Sequence, residues 1–244
     1  MKFIEDIHKY MDGEDIYTPV TTLLHTFEPY KDWNKIAATY AKKNKRTVED
    51  VLAEWDKTKN DAAAKGTRYH NKKEQELLNQ QGIVLDNYMC EINSVPTIEG
   101  IKEDLSIKLE NNRIYPEKMI WSTKYRICGT ADIVEVVNNT IHVKDHKTNK
   151  KLDYVSFNHP FKGREKLTFP LSHLDNCNFN IYQLQLNLYM YMLLQQNRHL
   201  KMGTMTILHV TFDENDEPIN VTEISVKDMQ DEVKKMLEYF KNQK

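Results

Sequence analysis

Two short runs rich in β-branched residues, Ile133–Val137 and Thr140–Val143, lie on either side of the pair Asn138-Asn139. β-Branched residues favour strands, and an asparagine pair tolerates the positive φ angles of a two-residue hairpin turn. The pattern therefore predicts a β-hairpin in which Val137 pairs with Thr140. In that register, the two residue numbers of each pair add up to 277.

The same register places two acidic residues across from each other. The residue numbers of Asp132 and Asp145 also add up to 277, so these two residues should pair, with their Cβ atoms roughly 4.5–5.5 Å apart. Because side chains alternate along a strand, Lys147 should share the face of Asp145, and His146 should point the other way. The hairpin thus predicts two carboxylates and one ammonium group on a single face.

The remaining hydrophobic patterns alternate between helical and strand periods. Thr47 followed by Asp50 is typical of a helix N-terminus. In order, we predict irregular chain over residues 1–20, helix in two or three pieces over 21–65, a second helix over 67–80 after Gly66, weak strands near 92 and 107–109, a strand over 114–121, a turn at 124–125, a polar connection over 148–180, an amphipathic helix over 181–196, a strand over 204–212 and a polar helix over 227–241.

This order of elements argues for an α/β fold with a mixed central sheet flanked by helices. We expect residues 1–65 to form an N-terminal helical lead-in and residues 66–244 to form the core, as one compact unit. The two predicted late helices carry apolar stripes that should face the core: Ile181, Leu184, Leu188 and Met192 on the first, and Met229, Val233, Met236 and Phe240 on the second.

Composition narrows the class of protein. The 244 residues carry a net charge of −2, so any nucleic-acid contact must come from local basic patches. Three distant cysteines form no metal-binding spacing and favour a reducing compartment such as the cytoplasm. No apolar run is long enough to span a membrane, and the acidic N-terminus has no signal-peptide pattern, so we expect no membrane association.

Two adjacent carboxylates repel each other unless a cation lies between them. Oxygen ligands of this kind suit Mg²⁺ or Mn²⁺ rather than Zn²⁺. Lys147 could then orient or deprotonate a water, or offset the charge of a phosphate. The alternative is an exposed hairpin in which Lys147 only neutralises one acid.

Three further residues are candidates for the same site. His70 and Glu74 lie one helical turn apart and share a face, which is either an ordinary surface pair or an imidazole ligand with a polar neighbour. Glu117 precedes the apolar end of the 114–121 strand. It is either an exposed strand residue or a further ligand to the metal or to its water.

The predicted helix over 181–196 and the hairpin end supply three more candidates. Gln185 and Tyr189 are one turn apart on a flank of the apolar stripe, where they either pack or direct an amide and a hydroxyl at the lysine or a nucleic-acid backbone. Thr148 follows Lys147 directly and is either a strand-end hydroxyl or a contact to a phosphate.

Five segments in order resemble the motifs of the RecB-type nucleases of the PD-(D/E)XK superfamily, in particular the stand-alone phage-borne and mitochondrial-type exonucleases. The resemblance covers roughly residues 60–195, and the segments are GTRYHNKKE at 66–74, Glu117, CGTAD at 128–132, VKDHKT at 143–148 and QLNLY at 185–189. It implies a restriction-endonuclease-like core.

The resemblance also implies a role for each matched position. His70 corresponds to the additional histidine ligand, Asp132 to the metal-binding aspartate, and Asp145 with Lys147 to the D/E-x-K pair. Glu117 corresponds to the upstream glutamate, and the main-chain carbonyl of His146 to a further ligand. The implied contacts to substrate are Gln185 and Tyr189, to which we add Thr148 and Glu74 as candidates.

The implied activity is Mg²⁺- or Mn²⁺-dependent hydrolysis of DNA, most simply by an exonuclease that leaves 5′-phosphates. It would serve replication, recombination or repair in the cytoplasm of a bacterium or a phage-infected cell. The alternatives are a structure-specific endonuclease with the same core, a non-catalytic nucleic-acid-binding module, and an RNA nuclease. The oligomeric state stays open.

Overall fold

A computed structural model describes residues 1–4, 7 and 9–243 of the chain. The described residues form a mixed α/β fold with five helices and fourteen strands. The helices are α1 Val20–His25, α2 Trp33–Asn44, α3 Val48–Leu78, α4 Asn178–Gln196 and α5 Gln230–Lys241. The strands are β1 Lys2–Ile4, β2 Lys9–Asp12, β3 Asp15–Pro19, β4 Ile83–Leu85, β5 Tyr88–Ile92, β6 Thr97–Ile98, β7 Ile101–Glu103, β8 Arg113–Ser122, β9 Ile127–Val137, β10 Thr140–Lys147, β11 Asn158–His159, β12 Gly163–Arg164, β13 Lys201–Phe212 and β14 Pro218–Ser225.

The predicted hairpin is confirmed as β9 and β10. Asn138 and Asn139 have φ angles of 48° and 59°, as the two-residue turn requires. The antiparallel ladder runs from Thr140↔Val137 to Lys144↔Ile133, so every pair totals 277. Two-residue turn chemistry therefore fixes the register of the central strands.

The central sheet is mixed. β8 and β9 pair antiparallel along nearly their whole length, whereas β10 pairs parallel with β13, and β14 forms the edge beyond β13. The chain returns from β10 to β13 through α4, as a parallel pair requires. α4 packs on β10 and β13 on one side and contacts α1 and α5 on the others.

Because α4 lies between the sheet and two helices, it is buried all round over residues 183–190. The predicted amphipathic character is therefore wrong over these residues, although Leu184, Leu188 and Met192 do lie in the core and Ile181 packs against it. The buried Asn187 is satisfied by bonds to the chain entering α5: its Nδ2 donates to the carbonyl of Lys227 at 2.8 Å, and its Oδ1 accepts from the N–H of Met229 at 2.8 Å.

Helix α3 begins where the sequence predicts, because the Thr47 hydroxyl accepts the N–H of Asp50 at 3.1 Å. The predicted break at Gly66 is wrong, since α3 continues unbroken for 31 residues. A Cβ at position 66 would lie 3.0 Å from Oγ1 of Thr148, so the glycine serves close packing rather than helix termination. The division at residues 65 and 66 falls inside this helix and stays a prediction.

The other differences concern polar strands. Residues 1–20 were expected to be irregular, but their described part forms β1, β2 and β3, while residues 5, 6 and 8 lie outside the described residues. Residues 107–109 form no strand, and β14 lies where no element was expected. Within the described part of the chain, no helix is both long and apolar enough to cross a membrane.

Candidate metal centre

A gap in the central sheet opens beside residues 129–132 of β9. β8 covers one edge of β9, so β10 and β3 must both lie on the other edge. β10 pairs with residues 133–137 of β9, and β3 pairs with residues 127 and 128. The segment Gly129–Asp132 between them pairs with neither, and a cleft of about 200 Å³ opens at this point.

Three carboxylates lie in a row across the strands that meet at the gap. The β8–β9 ladder pairs Pro116 with Ile133 and Lys118 with Ala131, which places Glu117 opposite Asp132. On the other side, the hairpin register places Asp145 opposite Asp132. The β9–β10 ladder ends just before this row, and the β8–β9 ladder is interrupted at it. Glu117 has a φ of +47°, and the Asp132 carboxylate accepts the N–H of His146 at 2.6 Å.

Helix α3 adds an imidazole to the row. Nδ1 of His70 lies 3.2 Å from Oδ1 of Asp132. Side-chain ligand atoms of His70, Glu117 and Asp132 all lie within 4.8 Å of one another. This set of two carboxylates and one imidazole could bind a divalent metal ion.

Asp132 lies at the centre of these contacts and is ionised. Burial alone would raise the pKa of its carboxyl, but hydrogen bonds with His146 and His70 hold that pKa well below its usual range. The ring of His146 reaches Oδ2 of Asp132 at 3.2 Å and packs edge-on against Tyr69 at 5.3 Å. His146 therefore contacts the site through its side chain, and ligation through its carbonyl stays a prediction.

The pKa of Glu117 is shifted in the opposite direction from that of Asp132. Burial and the neighbouring charge of Asp132 raise the pKa of Glu117 to about 8. The nearest cation is Lys102 of β7, whose Nζ lies 3.9 Å from Glu117 and 3.4 Å from Glu74. No sequence signal indicated Lys102, because β7 belongs to a polar extension of the sheet that the hydrophobic pattern does not predict. Glu74 thus pairs with a lysine beside the centre.

Lys147 forms the other half of the site. Its Nζ lies 2.5 Å from Oδ2 of Asp145, which is buried. Burial alone would lower the pKa of Lys147, but the charges of Asp145 and Asp132 raise it above its usual value. The side chain is therefore an ammonium ion at neutral pH, and it also lies 4.6 Å from the ring centre of Tyr182.

Gln185 and Tyr189 of α4 hold this lysine in place. Lys147 donates to Oε1 of Gln185 at 2.9 Å, and Nε2 of Gln185 donates to the hydroxyl of Tyr189 at 3.0 Å. The Tyr189 ring fits against Gly129, where a Cβ would lie 2.6 Å from Cε1 of the ring. The glycine of the CGTAD segment is therefore required for the close approach of α4 to β9.

The cleft brings together most of the predicted residues and some that were not predicted. It is lined by His70, Asp132, Asp145, Lys147, Gln185 and Tyr189. The N-terminal segment adds Tyr10, Pro19, Val20 and Thr21, which hydrophobic periodicity did not identify. Thr148 is not among the lining residues, and its hydroxyl lies against Gly66 of α3 instead.

No protein-family model and no curated protein matches this chain. Among solved structures, the chain is similar to SSO0001, with 15% identity over 96% of this chain and 79% of that one, at a TM-score of 0.37. It is also similar to a candidate exonuclease from Eubacterium rectale, with 16% identity over 52% of this chain and 42% of that one, at a TM-score of 0.33. At these TM-scores neither likeness assigns an activity to this chain.

Proposed function

We propose that this protein is a Mg²⁺- or Mn²⁺-dependent deoxyribonuclease with a RecB-like PD-(D/E)XK core, and that it acts as an exonuclease. One observation carries the proposal. The acidic row of Glu117, Asp132 and Asp145 crosses three adjacent strands, and Asp132 and Asp145 line a cleft together with the ammonium group of Lys147. Acids that can hold a divalent metal, beside a fixed ammonium group, can supply the Lewis acid and the positive charge that stabilise the hydrolysis of a phosphodiester.

The metal would be held by His70, Glu117 and Asp132, whose ligand atoms already lie within 4.8 Å of one another. Asp145 and the carbonyl of His146 are further proposed ligands. The donor set fits the ion, since it is dominated by carboxylates, and the buried Glu117 gains a full counter-charge when its proton is displaced. When bound, the ion supplies Lewis-acid polarisation of the phosphate and activation of water.

The residues of the chain supply position and charge. Lys147 is an ammonium ion and would bind a non-bridging phosphate oxygen and stabilise the charge that develops there. Gln185 and Tyr189 fix the direction of that ammonium group from the neighbouring helix. The raised pKa of Lys147 favours this electrostatic role over the role of a general base.

The choice of DNA, of exonuclease action and of 5′-phosphate products rests on the sequence resemblance, as do a role in replication, recombination or repair and a place in the cytoplasm of a bacterium or phage-infected cell. Substrate contacts by Gln185, Tyr189, Thr148 and Glu74 stay predictions on the same basis.

The direct test compares labelled linear and covalently closed circular DNA, each single- and double-stranded, in Mn²⁺, Mg²⁺ or EDTA. We expect loss of linear DNA only, with either metal and not with EDTA. Cutting of circles would replace the exonuclease proposal by an endonuclease. Binding to DNA without turnover in any metal would favour a non-catalytic module, and turnover of RNA alone would identify a ribonuclease.

A further inference from the structure

Residues 150–166, called the strap below, carry three exposed aromatic side chains. Phe161 is 93% exposed, Phe157 is 76% exposed and Tyr154 is 55% exposed. Phe161 lies in the turn between β11 and β12, whose pairing Asn158↔Arg164 makes the strap a short hairpin. Aromatic side chains of this size are ordinarily buried, so three of them on one exposed segment indicate a ligand surface.

The strap is anchored to the rest of the protein by buried side chains and by contacts with Asp175. Leu152 and Ser156 are buried, and the Asp175 carboxylate accepts the N–H of Ser156 at 3.2 Å. The same carboxylate forms ion pairs with Arg164 at 3.2 Å and with Lys166 at 2.5 Å. The Ser156 N–H, Arg164 and Lys166 thus tie the strap to Asp175, while Phe157 and Phe161 remain exposed.

The charge of the strap favours an anionic partner. Its seventeen residues include five lysines or arginines and two acids, a net charge of +3 within a chain of net charge −2. Lys150 and Lys162 are exposed, and neither makes an ion pair with any residue that the structure describes. Free ammonium groups at both ends of a segment with exposed rings suit a ligand that alternates phosphates with flat apolar groups.

The position of the strap links it to the candidate metal centre. It begins three residues after Lys147. It then docks on the first turn of α4, where the N–H of Asp153 donates to Oδ1 of Asn178 at 2.8 Å. Asn178 precedes Gln185 by seven residues, or roughly 10 Å along a helix. A strand of nucleic acid that left the cleft along the first turn of α4 would therefore reach the base of the strap within a few nucleotides.

We propose that the strap binds single-stranded DNA by stacking bases on Phe157 and Phe161, while Lys150 and Lys162 contact the phosphates. The inference rests on the proposed nuclease function and names its substrate class. Paired bases in a duplex have no free faces for such stacking, so the strap selects single-stranded DNA over duplex DNA.

The test measures binding rather than cleavage, by fluorescence anisotropy of a labelled 20-nucleotide single strand and the matching duplex in EDTA. We expect the wild-type protein to bind the single strand at least about tenfold more tightly. Replacing Phe157→Ala or Phe161→Ala should weaken single-strand binding by about tenfold each, since stacking of one base contributes roughly that factor. Binding of the duplex should change less than about twofold.

The control variant is Met89→Ala, which removes an apolar side chain that is 63% exposed on the β4–β5 hairpin. It should leave both affinities unchanged.

Equal affinity for single strand and duplex, or unchanged single-strand binding by both phenylalanine variants, would overturn the inference while leaving the nuclease proposal intact. If the wild-type protein bound no DNA in EDTA, the inference about the strap would fail, and the nuclease proposal would be decided by the cleavage assay with metal. Phenylalanine-dependent binding to lipid vesicles, or self-association lost in the variants, would assign the surface to a membrane or a second copy instead.

Discussion

The ammonium group of Lys147 donates to the amide oxygen of Gln185 across 2.9 Å, although the two residues are 38 positions apart and lie on different elements. Gln185 is buried and its amide nitrogen donates to the buried hydroxyl of Tyr189. The position of Lys147 beside the acidic row is therefore set by α4 as well as by its own strand.

Gln185→Ala should lower the rate of DNA cleavage about 10- to 100-fold, because Lys147 would lose the group that orients it, and a misplacement of about 1 Å costs rate on that scale. The measurement is single-turnover cleavage, together with the Kd for DNA in EDTA, which should change little. Gln185→Glu keeps an oxygen that can accept the hydrogen bond from Lys147. If Gln185 acts by orienting the lysine, the Gln185→Glu protein should retain more activity than the Gln185→Ala protein. An unchanged rate in Gln185→Ala would show that α4 does not position the lysine.

Gly129→Ala should destabilise the fold by about 1–3 kcal/mol, the usual cost of forcing an additional methyl group into a packed interior. The new Cβ would lie 2.6 Å from Cε1 and 2.8 Å from the hydroxyl of Tyr189, a buried side chain that is held by its hydrogen bond with Gln185. Urea denaturation gives the free energy of unfolding.

Gly66→Ala is the matched comparison for that variant. Its Cβ would lie 3.0 Å from a single hydroxyl, and alanine gains up to about 1 kcal/mol of helix propensity within α3. It should therefore be close to neutral. Equal destabilisation by both substitutions would contradict the specific role of the Gly129–Tyr189 contact.

Glu117 should make stability depend on pH in the absence of metal. Its folded-state pKa of about 8 lies above the unfolded value of 4.5, so between these pH values the folded protein retains a proton that the unfolded chain has lost. The stability that Glu117 contributes is therefore fully present below pH 4.5 and is lost as the pH rises to about 8. Chemical denaturation in EDTA should show wild-type stability falling across this range relative to Glu117→Gln. A difference between the two proteins that does not change with pH would refute the raised pKa.

Asp132→Asn should reduce Mn²⁺ affinity by more than the roughly 10- to 100-fold typical of a residue that only supports a metal ligand. Calorimetric titration measures the affinity, and a rise in the Tm of the wild-type protein with Mn²⁺ provides an independent readout. Glu49→Gln, an exposed acid in the first turn of α3, should bind Mn²⁺ as the wild type does. Unchanged affinity in Asp132→Asn would place the ion elsewhere.

The sequence predicts the centre of the fold well because turn chemistry is local. The Asn138-Asn139 pair fixes the hairpin register, and that register alone brings Asp132 and Asp145 together. The same reasoning could have located Glu117: a turn centred on Lys124 and Tyr125 pairs residues whose numbers total 249, which matches the observed ladder and puts Glu117 opposite Asp132.

The remaining elements escaped prediction for two physical reasons. β14 lies at the edge of the sheet with nearly all of its side chains exposed, and its only apolar alternation, Ile219 and Val221, is too short to indicate a strand. Gly13, with a φ of +60°, lies in the β2–β3 turn, but the strands on either side are too short to give a clear hydrophobic period. The polar face of α4 is buried because it binds residues from elsewhere in the chain. The periodicity of one helix carries no information about such partners, so it cannot predict this burial.

The central claim is that Lys147 and the neighbouring acids hydrolyse DNA with a divalent metal. The most direct measurement is the release of 5′-phosphate nucleotides from linear DNA by wild-type, Lys147→Ala and Lys201→Ala proteins, each verified as folded, in Mn²⁺ and in EDTA. Lys201 is an exposed lysine at the start of β13 and serves as the control. The account predicts Mn²⁺-dependent release by the wild-type and Lys201→Ala proteins, and less than about 1% of that rate for Lys147→Ala. Release by Lys147→Ala at the wild-type rate, or wild-type release that continues in EDTA, would contradict it.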